Sequence, residues 1–423
     1  MNKVEAITIL SSALCNLSCK YCYISQDPRL KEVHRKLVER IRNEEFLSTI
    51  LKSVPDPNDV KFLALWGLEP TLTLPAISSR FDYIFKTLPN LKVISFSSNF
   101  QGDSKVIIDF IKQIPRDKKI ELGIQFSMDG MPKINDLMRG DGSGERIIRN
   151  VKSLILSLNE ILPDMTNVRV KIQDKGTLSP KVLMMYKEDK ELMFENFRFM
   201  NNFYSEISDL IKSSRILLTC AGFNQERPFN YTKEHGIAFF NMLRDLDELI
   251  NKEDLKYVSL PFLSSFNRIA KYGLEFNNKQ RMFTCSANSG NLCIGENDEF
   301  AFCHRDFFPE NELTRKFVKE YYLIRDGQNM ERRQYLTSCY MDFPKLKLEY
   351  IIVICKELAR CGLIDKSYGD YNKAYVFAMN RLQEICQSTA LQINASPYMY
   401  DIGSIKLFAN GAEDYLLGKL VSS

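Results

Sequence analysis

The chain has 423 residues, 45% of them apolar and 26% charged, with a net charge of +4; this is the balance of a folded protein, and its length calls for two or three domains. Opposite charges alternate, as in Lys36-Leu37-Val38-Glu39-Arg40, so no dedicated nucleic-acid surface is evident. No apolar run is long enough to span a bilayer, and no membrane partner is expected.

At the N-terminus, Lys3 followed by Ala6–Leu14 and Cys15 has the outline of a lipoprotein signal. Glu5 interrupts it, and Leu14 is a poor residue before a cleavage site. Ala6–Leu10 is better read as a first strand, and a cytoplasmic protein is expected. Further strands are predicted at Lys61–Leu65, Leu91–Phe96, Leu122–Phe126 and Val168–Ile172. Helical stretches fall between them at Glu39–Ser53, Ile77–Leu88, Lys105–Ile114 and Glu145–Leu158, with Ile41, Phe46, Ile50 and Leu51 on one face of the first. Such alternation predicts a parallel α/β sheet, either an open doubly wound form or a barrel. Past Phe199 the pattern changes. Helices are expected at Ser205–Ser213 and Lys233–Leu249, a hairpin-like run at Ile294–Cys303, and more helix at Leu346–Gly362 and Lys373–Ala390. With no repeat and no low-complexity linker, a second domain is expected to pack directly on the first.

Eleven cysteines are many for a cytosolic chain, and in that setting metal or catalytic use is the default. The three histidines, His34, His235 and His304, supply imidazole chemistry poorly. Directly after the first strand comes Cys15-Asn16-Leu17-Ser18-Cys19-Lys20-Tyr21-Cys22-Tyr23. Three thiolates this close in a loop suit a cubane iron–sulfur cluster, holding three irons and leaving the fourth open to a ligand. The bland alternatives are buried core cysteines or a structural zinc. Zinc would want a fourth ligand nearby, and His34 is twelve residues on.

This loop is similar to the C-x3-C-x2-C signature of the radical S-adenosylmethionine (SAM) superfamily, with Tyr21 at the aromatic position. The resemblance implies a [4Fe–4S] cluster on Cys15, Cys19 and Cys22, SAM chelated to the open iron, and Tyr21 near the adenine. It implies reductive cleavage of SAM to a 5′-deoxyadenosyl radical that takes hydrogen from substrate, with a flavodoxin- or ferredoxin-type electron donor. Other polar punctuation falls where α/β enzymes keep their sites, at the carboxyl ends of predicted strands. Trp66-Gly67-Leu68-Glu69-Pro70 resembles the family's G-G-E-P, which receives the SAM ammonium; Leu68 stands for the second glycine. Ser97-Ser98-Asn99 resembles the T-N-G turn that reaches the ribose, with Phe100 where glycine is common. Ser127-Met128-Asp129-Gly130 is close to S-x-D-G. By resemblance Ser127 binds ribose, Asp129 shapes the turn and Arg139 meets the SAM carboxylate, a pairing its guanidinium fork suits. Gly142-Ser143-Gly144 precedes a helix.

Cys285 and Cys303, flanking a turn at Asp298, resemble the opening of SPASM and twitch extensions. A full SPASM block is absent, since Ile352 and Asp365 hold two of its ligand positions around Cys355 and Cys361. One auxiliary cluster on Cys285, Cys303, Cys339 and Cys361 or Cys355 is the sharper expectation. The alternative is that these are core cysteines, as Cys220 and Cys293 read. The resemblance thus implies a partial (β/α)6 TIM-like barrel over residues 1–200 and a SPASM/twitch-like extension over 201–423. The expected activity is modification of a peptide or protein side chain. A small-molecule dehydrogenase or epimerase of the same superfamily, and a non-catalytic iron–sulfur sensor or scaffold, stay open. His304-Arg305-Asp306 is a candidate substrate-facing segment, against the blander reading of a charged loop.

Overall fold

A computed structural model of the chain describes residues 4–20, 22, 30–54, 56–178, 180–219, 221–225, 233–259, 291–295 and 300–301. They fall into two compact units. The first draws on described residues within 1–176, 199–221 and 290–331, the second on those within 177–198, 222–289 and 332–423.

The first unit is built on β1 (Ala6–Ser12), β2 (Phe62–Gly67), β3 (Val93–Ser98), β4 (Ile120–Phe126), β5 (Val168–Leu178) and β6 (Ile216–Leu218). These six run parallel and lie side by side in chain order. Parallel neighbours need a crossover, and here each is helical. The helices are α1 (Leu30–Arg42) and α2 (Glu45–Ser53), then α3 (Leu74–Ser78) and α4 (Phe81–Thr87), then α5 (Lys105–Lys112), then α6 (Pro132–Arg139) and α7 (Ser143–Ile161); between β5 and β6 the chain runs through α8 (Pro180–Glu188), which belongs to the second unit, and α9 (Lys190–Leu210), which belongs to the first from Phe199 on. Strand order decides between the two predicted architectures. A doubly wound sheet reverses its order at a switch point. An unbroken 1-to-6 order with crossovers of one hand keeps the helices on one face, the winding of a barrel wall.

Burial follows from that winding. Along β4 buried Ile120, Leu122, Ile124 and Phe126 alternate with half-buried residues, as expected when one face packs on helices. Helix α7 answers with Ile147, Val151, Leu154, Ile155 and Leu158, one stripe at helical spacing. Full burial of each is worth about 1.5–3 kcal/mol. The opposite face carries half-buried Thr8, Ser95, Gln125, Lys171 and Gln173.

Two predicted helices are broken. Glu39–Ser53 comprises the end of α1 and all of α2, parted at Glu44, which takes a left-handed φ of 63°. Ile77–Leu88 divides into α3 and α4 around Ser79 and Arg80. A seventh parallel strand, β9 (Asn291–Ile294), lies on the outer side of β1. Phe300–Ala301, β10, pairs with it antiparallel; of the hairpin-like run expected at Ile294–Cys303, Ile294 falls on β9 and Phe300–Ala301 on β10, and residues 296–299 and 302–303 lie outside the described residues. Cys293 is buried on β9, as a core cysteine should be.

The second unit includes α8, β7 (Ala221–Gln225), α10 (Lys233–Glu253) and β8 (Val258–Ser259). Its buried junction is Asp245 of α10, which accepts from Tyr186 Oη and pairs with Lys190, both at 2.6 Å. Among the described residues no helix is long and apolar enough to cross a membrane.

Candidate active site

The conspicuous polar groups of the first unit gather beyond the carboxyl ends of β1 to β5, laced strand to strand by the motif residues themselves. The lacing starts with an irregularity. Pairing between β1 and β2 shifts at Ser11, so Ser12 rather than Ser11 faces Gly67. The Ser12 carbonyl then occupies the space beside Gly67, where a Cβ would lie 2.1 Å from that oxygen; Gly67 also has φ +140°. Only glycine fits both demands. The chain can then turn back, with Leu68 N donating to Ser12 O at 3.1 Å and Glu69 N to Leu14 O at 2.9 Å. The cysteine loop is thereby fixed across the end of β2.

Glu69, only 2% exposed, is the next junction. It caps the 3-10 turn that begins at Pro70. One carboxylate oxygen accepts from Thr71 Oγ1 at 2.5 Å and from Thr71 N at 3.4 Å; the other accepts from Asn99 N at 2.8 Å. Burial is the larger influence and holds the Glu69 carboxyl above the usual range, against the lowering effect of these donors.

Asn99 carries the lacing back to the cysteines. Its Nδ2 donates to Asn16 Oδ1 at 2.7 Å and to Cys15 Sγ at 3.3 Å, while its Oδ1 accepts from Gln101 N at 2.9 Å. Ser98 is buried and its hydroxyl accepts from Phe100 N. Phe100 sits at φ +52° in the position where glycine is common, and its buried ring meets Phe126 edge-on at 6.1 Å. Further along, Ser127 N donates to Ser98 O at 2.9 Å and Met128 N to Asp174 Oδ1 at 3.1 Å. The side chain of Ser127 is half-buried at this rim.

Asp129 and Arg139 form a buried two-point ion pair, Nε to Oδ2 at 2.8 Å and Nη2 to Oδ1 at 3.0 Å. Arg139 ends α6, whose Met138 carbonyl accepts Lys20 N at 3.0 Å, so the helix also braces the cysteine loop. Asp136 accepts Gly142 N, Gly144 N and the Ser143 hydroxyl. It thus fills the N-terminus of α7 with a carboxylate of the chain's own.

Cys15, Cys19 and Cys22 are all half-buried. Burial pushes the Cys15 thiol up, with hydrogen bonds from Leu17 N and Asn99 pulling against it. Burial likewise takes Cys19 up to about 11; Arg139 opposes this, while the charges of Cys15, Asp129 and Cys22 add to it. Among the described residues no three His, Cys, Asp or Glu side chains are placed to grip one metal ion. Three half-buried thiols in one loop would suit an iron–sulfur cluster, which takes one sulfur on each of three irons.

Of the residues singled out in the sequence, the rim brings together Cys15, Cys19, Cys22, Gly67, Glu69, Pro70, Ser98, Asn99, Ser127, Asp129 and Arg139. Tyr21, Cys285, Cys303, Cys339, Cys355, Cys361 and the segment 304–306 lie outside the described residues. Sequence reasoning missed Asp174, Asn135 and Asp136. Asp174 follows two residues after the predicted end of a strand that actually continues to Leu178. Asn135 and Asp136 lay unremarked in the helix before Arg139; Asn135 Oδ1 accepts Asp129 N at 3.0 Å. His34 was weighed only as a zinc ligand. Its Nδ1 lies 3.4 Å from Ser12 Oγ and from Ala13 N, beneath the start of the cysteine loop.

Neither a protein-family model nor a curated protein matches the chain. Among solved structures it is similar to native anSMEcpe with bound AdoMet, at 17% identity and a TM-score of 0.42, over 72% of this chain and 75% of that one. It is also similar to native anSMEcpe with bound AdoMet and Cp18Cys peptide, at 15% identity and a TM-score of 0.40, over 92% of this chain and 100% of that one. At these identities and scores, any assignment of chemistry rests on the chain's own residues.

Proposed function

We propose that the chain is a radical SAM enzyme acting on a peptide or protein side chain. The observation that carries the reading is the three-cysteine loop, hydrogen-bonded to the carboxyl rim of a parallel sheet through Leu14, Lys20 and Asn99. Cys15, Cys19 and Cys22 would hold a [4Fe–4S] cluster with one iron open to SAM. When bound there, the cluster would supply the one electron for reductive cleavage of SAM to methionine and a 5′-deoxyadenosyl radical, the species that would take a hydrogen atom from substrate.

The chain's own residues supply position. Gly67 lets the loop cross the end of β2, and Glu69 and Asn99 fix it there. Arg139 sets a cation beside Cys19, neutralised in part by Asp129. The half-buried Thr8, Ser95, Gln125 and Gln173 offer hydrogen bonds on the face not packed on helices. Tyr21, Cys285, Cys303, Cys339 and Cys361 enter the proposal from sequence alone, the first against adenine and the others around an auxiliary cluster. A flavodoxin- or ferredoxin-type donor would deliver the electron.

The test is anaerobic reconstitution with iron and sulfide, then dithionite and SAM, with 5′-deoxyadenosine quantified beside iron. Wild type is expected to form 5′-deoxyadenosine and the Cys15/Cys19/Cys22→Ala triple variant none. Iron retained by that variant would report the auxiliary cluster. A loaded wild type that never cleaves SAM, even with candidate peptides, would transfer the chain to the sensor or scaffold class.

A further inference from the structure

We infer that Asn99 is a positioning residue for the cluster, its side-chain amide donating to the Cys15 sulfur and raising the potential at which the cluster accepts an electron. The inference rests on the reading above and adds a role to a residue that the sequence resemblance assigns to the SAM ribose.

The geometry leaves the Asn99 amide little choice. Gln101 N needs an acceptor and finds Asn99 Oδ1 at 2.9 Å, which fixes the orientation of the amide. Nδ2 has two hydrogens and two acceptors, Asn16 Oδ1 at 2.7 Å and Cys15 Sγ at 3.3 Å, both in the cysteine loop. The backbone is held as well, Asn99 N donating to buried Glu69 at 2.8 Å. Asn99 is itself 6% exposed, so the donor is presented to the sulfur already oriented. Leu17 N donates to the same sulfur at 3.4 Å. Among bonds between described residues, Cys15 is the only one of the three cysteines whose sulfur accepts an N–H.

A hydrogen bond to an ionised acceptor strengthens as the acceptor gains charge. One-electron reduction places charge on the cluster and its sulfurs, so N–H donors favour the reduced state; such bonds are among the levers that set cluster potentials. Losing one donor should therefore shift the reduced-to-oxidised ratio at a fixed solution potential by about tenfold, or about 59 mV for a one-electron couple.

The measurement is an EPR-monitored redox titration of the full, anaerobically reconstituted chain without SAM, with iron quantified in parallel. Asn99→Asp keeps the acceptor for Gln101 N and removes the donor; Asn99→Ala removes both without adding charge. Both are expected to lower the potential at unchanged iron content. Asn16→Ala, which deletes only the other acceptor, should leave it in place. Wild-type potentials in both Asn99 variants overturn the inference, as does an equal shift in Asn16→Ala, which would make anchoring of the loop the cause. Should the variants fail to fold, wild type labelled with 15N-asparagine decides. Pulsed EPR of the reduced cluster is expected to show a 15N coupling, and its absence overturns the inference. A wild type that binds no iron, or binds it as well without Cys15, Cys19 and Cys22, instead fails the radical SAM reading, and the inference falls with it.

Discussion

The Asp129–Arg139 pair is the sharpest place to perturb the rim without touching a cysteine. Its side chains are 0% and 7% exposed and joined at two points. Replacing Arg139 by Met takes the counter-charge from a buried carboxylate, and Asp129→Asn takes it from a buried guanidinium. Breaking a buried pair from one side costs about 3–5 kcal/mol. The double variant leaves no uncompensated charge, so its cost should fall short of the sum by about 1–3 kcal/mol. Trp66, the single tryptophan, lies half-buried at the end of β2 in the same unit. Its fluorescence during urea unfolding of the apo chain reads this unit directly. With a urea dependence of roughly 3 kcal/mol per molar, each single variant should lower the midpoint by about 1–2 M. Single losses below about 0.5 kcal/mol, or strict additivity in the double variant, would refute the claim that the pair holds the turn after β4 to α6.

Three more outcomes follow from local geometry, the first two read by the same fluorescence. Gly67→Ala puts a Cβ 2.1 Å from Ser12 O at φ +140°, while Gly140→Ala, at φ +116°, meets nothing within 4 Å. The first should cost well over the roughly 1–3 kcal/mol of backbone strain alone, the second no more than that strain. At Phe100, loss of the ring costs about 3–5 kcal/mol, but φ +52° should make Phe100→Gly about 1 kcal/mol less damaging than Phe100→Ala, reversing the usual order. Because the thiolate is the nucleophile and Cys19 is pushed up to about 11, alkylation of Cys19 in the apo wild-type chain, followed by peptide mass mapping, should climb about tenfold per pH unit between pH 8 and 10. A plateau beginning near pH 9 would place the thiol at its ordinary value.

What the sequence made legible was whatever depends on local pattern. All five strands predicted in the first 175 residues are present, because alternation and flanking turns are short-range signals. The motif residues stand at the strand ends where they were expected, since each follows its own strand directly. Illegible were features set by distant partners. The break at Glu44 carries no proline or glycine to announce it. The place of Asn291–Ile294 beside β1 is a pairing between residues 6–9 and 291–294, invisible to any window. Periodicity also could not choose between the open and barrel windings; the order of the strands could. The roles of Asp174 and Asn135 arise from capping amides on other elements, and a polar residue in a helix or strand looks the same whether or not it has such a task.

Glu69 shows how far a motif can be followed before structure changes its meaning. By resemblance its carboxylate receives an ammonium group, yet in the fold it already takes three donors: Thr71 N, Thr71 Oγ1 and Asn99 N. These occupy most of the about four lone-pair sites a carboxylate offers, so its first task is to join the ends of β2 and β3. Glu69→Gln would turn an NH2 group toward at least one of those donors. It should cost about 1–3 kcal/mol in the apo chain, before any SAM is present. The pH dependence adds a sign. Burial raises the Glu69 carboxyl above its unfolded value, so the folded form holds its proton more tightly. Glu69 then contributes stability below the unfolded carboxylate range and loses it as pH rises through the raised folded value. Glu69→Gln should abolish that part of the slope in urea midpoints measured across the acid range. A residue serving SAM alone would leave both apo stability and its pH slope untouched and weaken only SAM binding, and that result would return Glu69 to the role its motif implies.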